Sequence, residues 1–353
     1  MKVLSKIIIF CIYLILGVFY LYTPKLYDLL FKKQNVLNVY TYADFISPKC
    51  IKVNLKYFDN DNELLAKFEI DEGRGYDLIT ATGFVIKKLI DNKLLQKINI
   101  SKLYNYKKLE NFLLGSSFDP KNNFSVPYLW SIHGIIFNKN FIKLSLDQIS
   151  WDLIFKNPDL YLKNNAIEQI LMINTPVEIF QIAAIYLFGS LKNLTSEKLE
   201  KIAQLLIKQK RWVDVYMTGS LQYYLLSRVV DIAVTYTAFA QKIMDISDEY
   251  DFVIPKEGSI VTIDSFAIPK TSKSVELSHK FIDFLLSTGM SLLNAQKYGY
   301  NPSNKYAYKK IQEKFPTRKA FFPDKENFEK LYLQDESINL KKLEDLWLAV
   351  RLS

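Results

Sequence analysis

The spacing of apolar residues changes along this chain, and each change marks an element. Short apolar runs ending in turn residues alternate with stretches where apolar positions recur every three or four residues. Leu37 to Tyr40 reads as a strand followed by the loop Thr41 to Pro48, and Asp77 to Thr80 as a second strand followed by helical spacing from Val85 to Ile90. Leu199, Ile202, Leu205 and Leu206 share one face of a helix that Ser196 can cap. Asp231 to Thr235 is a further compact strand, and Ile260, Ile263, Phe266, Ala267 and Ile268 outline another inside the segment Pro255 to Pro269. Lys273 to Tyr298 reads as one long helix with Leu277, Phe281, Phe284 and Leu285 inward and Gly299 just past its end. Strands alternating with helices predict an α/β architecture with mostly parallel sheets. In such sheets ligands sit beyond the carboxyl ends of the strands. Tyr42, Asp44, Thr82, Phe84 and Tyr236 all fall just after strand candidates, which suggests one site assembled from several loop starts.

The first residues follow a different pattern. Lys2 and Lys6 precede an unbroken apolar run from Ile7 to Tyr22, the length of a signal h-region and slightly short for an ideal membrane span. No small-x-small cleavage site follows. An uncleaved anchor is the first reading, with a lipoprotein through Cys11 or a cleaved signal as alternatives; each exports the body. Residues 1–24 are assigned to this segment and 25–35 to a tether.

Composition narrows the class. At 353 residues, 49% apolar and 14% aromatic, the chain can build two domains with separate cores. The formal charge is +9, but only five of the 46 basic residues are Arg, which fits a Lys-rich compositional bias better than a phosphate-reading surface. No nucleic-acid partner is expected. Two cysteines and two histidines, His133 and His279, provide no metal-ligand spacing, and both histidines read as ordinary structural or surface residues. No P-loop, nucleotide-binding glycine motif or nucleophile elbow is present, so no catalytic residues, metal or cofactor are assigned.

One residue breaks the apolar rule in an informative way. Asp264 stands in the middle of the strand at 260–268, where an ionised carboxylate costs several kcal/mol unless it meets a partner. It either pairs with a cation of the fold or awaits a cationic ligand. A linear polycation needs acids for its ammonium groups and aromatic walls for its methylenes, and the chain has both near its strand ends. Taken singly, each candidate has a plain structural role: Asp44 as a loop cap, Tyr42 and Tyr236 as core, Glu178 as a dipole-favoured acid at a helix start.

The ordered set of motifs decides between those readings. Val39-Tyr-Thr-Tyr-Ala-Asp-Phe-Ile-Ser-Pro48, Tyr76-Asp-Leu-Ile79, Phe118-Asp-Pro120 and Phe124-Ser-Val-Pro-Tyr-Leu-Trp130 are followed by Glu178-Ile-Phe-Gln181, Pro255 to Pro269, Tyr298-Gly-Tyr-Asn-Pro-Ser-Asn304 and Phe322-Pro-Asp324. From about Val36 to the Asp335 region the chain resembles the spermidine/putrescine-binding proteins of polyamine ABC transporters. The resemblance implies a type II periplasmic-binding-protein fold: two α/β lobes joined by crossing strands, with ligand gripped between them. Lobe 1 is expected at 36–134 plus 264–304 and lobe 2 at 135–263 plus 305–353, with hinges near 134–137 and 260–265. The implied function is that of an extracytoplasmic, membrane-tethered binding subunit that delivers a polyamine to permease subunits; it is not an enzyme and is expected to be monomeric.

By the same resemblance Tyr42, Asp44 and Phe45 line the ligand from the first loop, and Thr82 and Phe84 from the second. Glu178 and Asp264 meet ligand amines, Tyr236 takes the place of a cleft Trp, and Tyr300 and Gln334 are late polar contacts. Three positions depart from the family. Thr175 stands where relatives have another acid, Thr262 where an aromatic wall is usual, and Phe84 lacks the hydroxyl of the expected Tyr. Fewer acids and smaller walls favour putrescine or another small diamine over spermidine. Two other readings stay open: a same-fold protein for another organic cation, and an exported enzyme or structural protein.

Overall fold

The computed structural model describes residues 36–47, 53–156, 161–162, 169–217, 220–315, 320–323, 328–334 and 338–353. The N-terminal apolar run, the tether, Cys11 and Cys50 lie outside the described residues. Among those described, no helix is long and apolar enough to cross a membrane.

Among the described residues eleven strands form one connected sheet: β1 (Asn38–Thr41), β2 (Asn54–Tyr57), β3 (Leu78–Thr82), β4 (Ser125–Asn138), β5 (Ile170–Met172), β6 (Val213–Tyr216), β7 (Ile232–Tyr236), β8 (Tyr250–Val253), β9 (Ser259–Ala267), β10 (Asn301–Pro302) and β11 (Leu331–Leu333). The spatial order is β2-β1-β3-β9-β4-β7-β5-β6, with β8 and β10 on β4 and β11 on β9. The first part of β4, from Ser125 to Ile132, pairs with β9, and its second part, from His133 to Phe137, pairs with β7. This single strand therefore belongs to both halves of the sheet.

Both faces of each half are covered, as the side-chain alternation of strands requires. Val39, Leu78 and Phe266 point into one core, while their neighbours Tyr40, Ile79 and Ala267 point into another. In the second half Ile135, Met172 and Val234 lie on one face and Ile136, Leu171 and Ala233 on the other. All fourteen residues of β4 and all nine of β9 are buried, which explains their near-continuous apolar composition.

The expectation of mostly parallel pairing fails at the centre, where β9 has a parallel partner only in β11. β1 pairs in parallel with β2 and β3, and β5 with β6 and β7, but β9 runs antiparallel to both β3 and β4, and β4 antiparallel to β7 and β8. Local alternation of strands and helices cannot reveal partners more than a hundred residues away. The long helix read over 273–298 is two helices, Val275–Leu285 and Thr288–Tyr298. Ser287 between them is extended, and the freed carbonyl of Leu286 accepts from Asn304 Nδ2 at 2.8 Å. Phe284, expected inward, lies on the outer side of the first helix and is 43% exposed, while Phe281, Ile282 and Leu285 face the core. Ser196 is the first helical residue of Ser196–Gln209, and Thr195 supplies the cap by accepting from the Lys198 amide.

The turn into β9 depends on Gly258. Its φ is +92°, and a Cβ there would lie 2.0 Å from the carbonyl oxygen of Lys330, at the start of β11. Gly258→Ala is expected to destabilise the protein by about 3 kcal/mol, combining a left-handed backbone penalty with a backbone clash. Thermal unfolding checks this; a loss below about 1 kcal/mol would mean that the β11 segment moves aside freely.

Candidate functional site

The first loop is held from behind before any ligand arrives. Tyr128 Oη donates to Phe45 O at 2.9 Å, Tyr298 Oη to Ile46 O at 3.2 Å, and the Ser47 amide to Asn294 Oδ1 at 3.1 Å. Tyr128 sits where the β4 register slips against β9, between Pro127 and Leu129, and the bulge aims its ring at the loop. Tyr42 therefore has a fixed place, its ring 4.8 Å from that of Phe45 and 4.3 Å from that of Phe58. Tyr300 follows Gly299, whose φ of +84° ends the preceding helix and whose missing Cβ leaves room for Ala238 O. The Tyr300 ring meets Phe45 edge-on at 5.0 Å and lies 6.1 Å from Tyr236. Tyr236 ends β7 and opens the helix Thr237–Met244.

Beneath these rings the sheet presents a polar floor. Thr262 and Asp264 are two residues apart on β9 and so share a face, as do Ser131 and His133 on β4. Ser131 Oγ and Thr262 Oγ1, 3.0 Å apart, show that the two faces are the same one. Asp264 is 5% exposed, and its carboxylate has no hydrogen-bond or ion-pair partner among the described residues. Burial holds its pKa well above the usual carboxylate range, with the charges of Asp61 and Glu178 adding to the effect. His133 is 1% exposed, and neither ring nitrogen has a hydrogen-bond partner; Nε2 lies 3.3 Å from Glu178 Oε2, close but not aligned. The sequence reading had taken His133 as an ordinary residue, whereas the fold sets it beside an expected ligand acid.

Glu178 occupies the first turn of Pro176–Phe188, where Pro176 begins the helix and the dipole favours an acid. Thr175 stands at the cap position with no side-chain cap bond. Thr82 closes β3 and caps the helix Gly83–Asp91, and it pairs in register with Asp264. Its hydroxyl also donates to Asp61 Oδ2 at 2.8 Å, while Tyr42 Oη donates to Asp61 Oδ1. Asp61 is the first residue of the helix Asp61–Asp71, and the sequence analysis did not select it. Its pKa is pushed up to about 6, chiefly by desolvation; the bonds from Tyr42 and Thr82 oppose the rise, Glu178 adds to it and Lys88 opposes it. Burial also raises the phenols of Tyr42, Tyr236 and Tyr300, so all three remain protonated donors.

Asp61, Glu178 and Asp264 thus form one electrostatically coupled group, walled by Tyr42, Tyr236 and Tyr300. Three more predicted residues have neighbours of their own. Asp44 is partly exposed and ion-paired with Lys242 Nζ at 2.5 Å, although its charge still reaches Tyr300. Phe84 is half-buried, with Lys88 Nζ 4.5 Å from its ring centroid. Gln334 follows β11 and is buried, its backbone N–H donating to Val261 O at 3.0 Å. Among the described residues no group of three His, Cys, Asp or Glu side chains has the geometry to hold a metal ion. What the arrangement can do is receive an elongated organic cation: carboxylates for its charges, phenols and rings for its carbon chain.

Comparison with known proteins agrees with that chemistry. The bacterial extracellular solute-binding protein family matches residues 43–323. The spermidine/putrescine-binding periplasmic protein of Salmonella typhimurium is 26% identical over 306 residues, covering 84% of this chain and 86% of that one. The putrescine-binding periplasmic protein PotF of Escherichia coli is 25% identical over 334 residues, covering 87% and 89%. The crystal structure of the spermidine/putrescine ABC transporter substrate-binding protein PotD from Streptococcus pneumoniae superposes with a TM-score of 0.76 at 26% identity, covering 90% of this chain and 98% of that one. The fold expected from the sequence, two α/β lobes of the periplasmic-binding-protein type, is the fold observed. This chain belongs to the bacterial extracellular solute-binding protein family.

Proposed function

We propose that the chain is the extracytoplasmic substrate-binding subunit of an ABC importer and that its ligand is a polyamine, putrescine or spermidine. The observation that carries this reading is Asp264: a carboxylate buried at 5% exposure, without a cationic or hydrogen-bonding partner among the described residues, and facing two further acids. A fold that gains nothing from an unpaired buried charge keeps one where a ligand supplies the partner. Tyr42 and Tyr236 cover the methylenes, and each ammonium resting on a ring adds about 0.5–2 kcal/mol. The names of the relatives support the same ligand class.

Binding is coupled to closure of the lobes, because only the closed form brings all the acids to the ligand. The lobes are taken as 36–134 plus 264–304 and 135–263 plus 305–353, with hinges near 134–137 and 260–265. Asp44 and Lys242 then face each other across the cleft mouth, and their ion pair assists closure. The protein works in the periplasm, held to the membrane by its N-terminal segment, as a monomer that docks on the permease and catalyses no reaction. Thr262 bonded to Ser131 replaces an aromatic wall by a hydroxyl pair, and this favours a short diamine over spermidine.

A thermal-shift titration of the full chain with putrescine, cadaverine, spermidine, spermine and neutral diols tests the reading. A ligand at a hundredfold excess over Kd stabilises the native state by about 2.7 kcal/mol. A selective rise with diamines is expected. Clearly tighter spermidine binding would sink the diamine preference, and no shift with any amine would leave another organic cation as the ligand.

A further inference from the structure

The sequence leaves the cleft one acid short, since Thr175 occupies a position where the family it resembles has a carboxylate. The structure contains an acid that no motif pointed to. Asp61 reaches the cleft from the start of a different helix and is seated by two hydroxyls, those of Tyr42 and Thr82. We propose that Asp61 is a ligand-binding residue that shares with Asp264 one primary ammonium end of the bound diamine, while Glu178 takes the other end; this rests on the polyamine reading of the same site.

Three observations lead there. Thr82 connects the two acids: its hydroxyl donates to Asp61 while its backbone pairs in register with Asp264. A carboxylate offers about four lone-pair directions, and Asp61 spends only two on Tyr42 and Thr82, leaving capacity for an ammonium. Glu178 lies apart from that end, beside His133, whose backbone pairs with Tyr236 on the opposite side of β4 from β9.

Asp61 has an ordinary alternative role as a brace for Tyr42 at a helix N-terminus. An asparagine would keep one acceptor oxygen for one of these hydroxyls and could donate its NH2 to the other, so much of the bracing does not need a charge. What only a carboxylate adds is negative charge, in a place where Asp264 and Glu178 already repel it. Lys88, the cation whose field reaches Asp61, lies over the Phe84 ring and 3.9 Å from Glu344, so it makes no ion pair with Asp61. His133 supplies an independent sign of a missing ligand, since a side chain 1% exposed leaves both ring nitrogens without hydrogen bonds at the far end of the same floor.

The test is calorimetric titration of putrescine into the full chain and into Asp61→Asn, Asp61→Glu and Asp264→Asn, with melting curves to confirm that each variant folds. Asp61→Asn is expected to weaken binding at least tenfold, whereas Asp61→Glu, which keeps the charge, loses clearly less. Equal losses in these two variants would show Asp61 to be a brace and overturn the assignment, as would a change below threefold in Asp61→Asn while Asp264→Asn loses binding. If the wild-type chain binds no diamine, the polyamine reading itself falls and this assignment with it. A variant that fails to fold is replaced by Asp61→Ser, which must then show the same loss.

Discussion

Asp264→Asn is expected to do two opposite things: weaken diamine binding at least about thirtyfold and raise the melting temperature of the ligand-free protein. The loss follows from removing one partner of a buried charge pair, which typically costs 2–5 kcal/mol. The gain follows because the wild-type chain holds this carboxylate buried and unpaired. The pH dependence separates the two effects. Asp264 has a folded pKa raised well above its ordinary value, first by burial and then by Asp61 and Glu178. A raised value means that the native state binds the proton more tightly than the unfolded chain does. Its contribution to stability is therefore complete below the unfolded value, near 3.9, and is lost as pH rises through the folded value. The variant should out-melt the wild type at neutral pH and lose that advantage near pH 4. A variant that binds putrescine as tightly as the wild type would remove Asp264 from the site altogether.

Acidification is the second strong lever. Lowering the pH from 7 to 5 is expected to weaken diamine binding by at least about tenfold through Asp61 alone, whose pKa is pushed up to about 6. Asp264, also raised by burial, adds to the loss, because an alkylammonium stays charged over this range and displaces a proton from each acid it meets. Asp61 and Asp264 feel each other's charge, so these two acids titrate together. Titrations near pH 6 in two buffers of different ionisation enthalpy count the protons released. Binding that is flat between pH 5 and 7, with no proton release, would mean that the acids are already ionised in the empty cleft.

Much of this site could be read from the chain, and the parts that could not share a physical cause. Tyr42, Thr82 and Tyr236 were found because each follows a compact apolar run, and such runs mark strand ends without knowledge of partners. Asp264 was found because a charge inside an apolar run is conspicuous. Asp61 was invisible: an acid at the first position of a helix is what the dipole favours in any protein, and only the fold brings it to Tyr42 and Thr82. His133 escaped for the same reason, since its meeting with Glu178 joins residues 45 positions apart on different elements. The helix break at Ser287 was hidden because the carbonyl it frees is satisfied by Asn304, which lies beyond the helical pattern. Local periodicity names the elements; the central antiparallel strands are set by partners far along the chain.

The position of β9 between β3 and β4 also dictates an order of events during synthesis. β3 and β4 are successive strands, yet they never touch, because the strand that joins them begins only at Ser259. Until residue 267 has left the ribosome, both present open edges with buried-type side chains on each face. A nascent chain of 250 residues therefore holds much of its secondary structure but cannot close its first core. Such closure over long sequence separations is slow, and until it happens the apolar faces of β3 and β4 stay open to any chain that can pair with them.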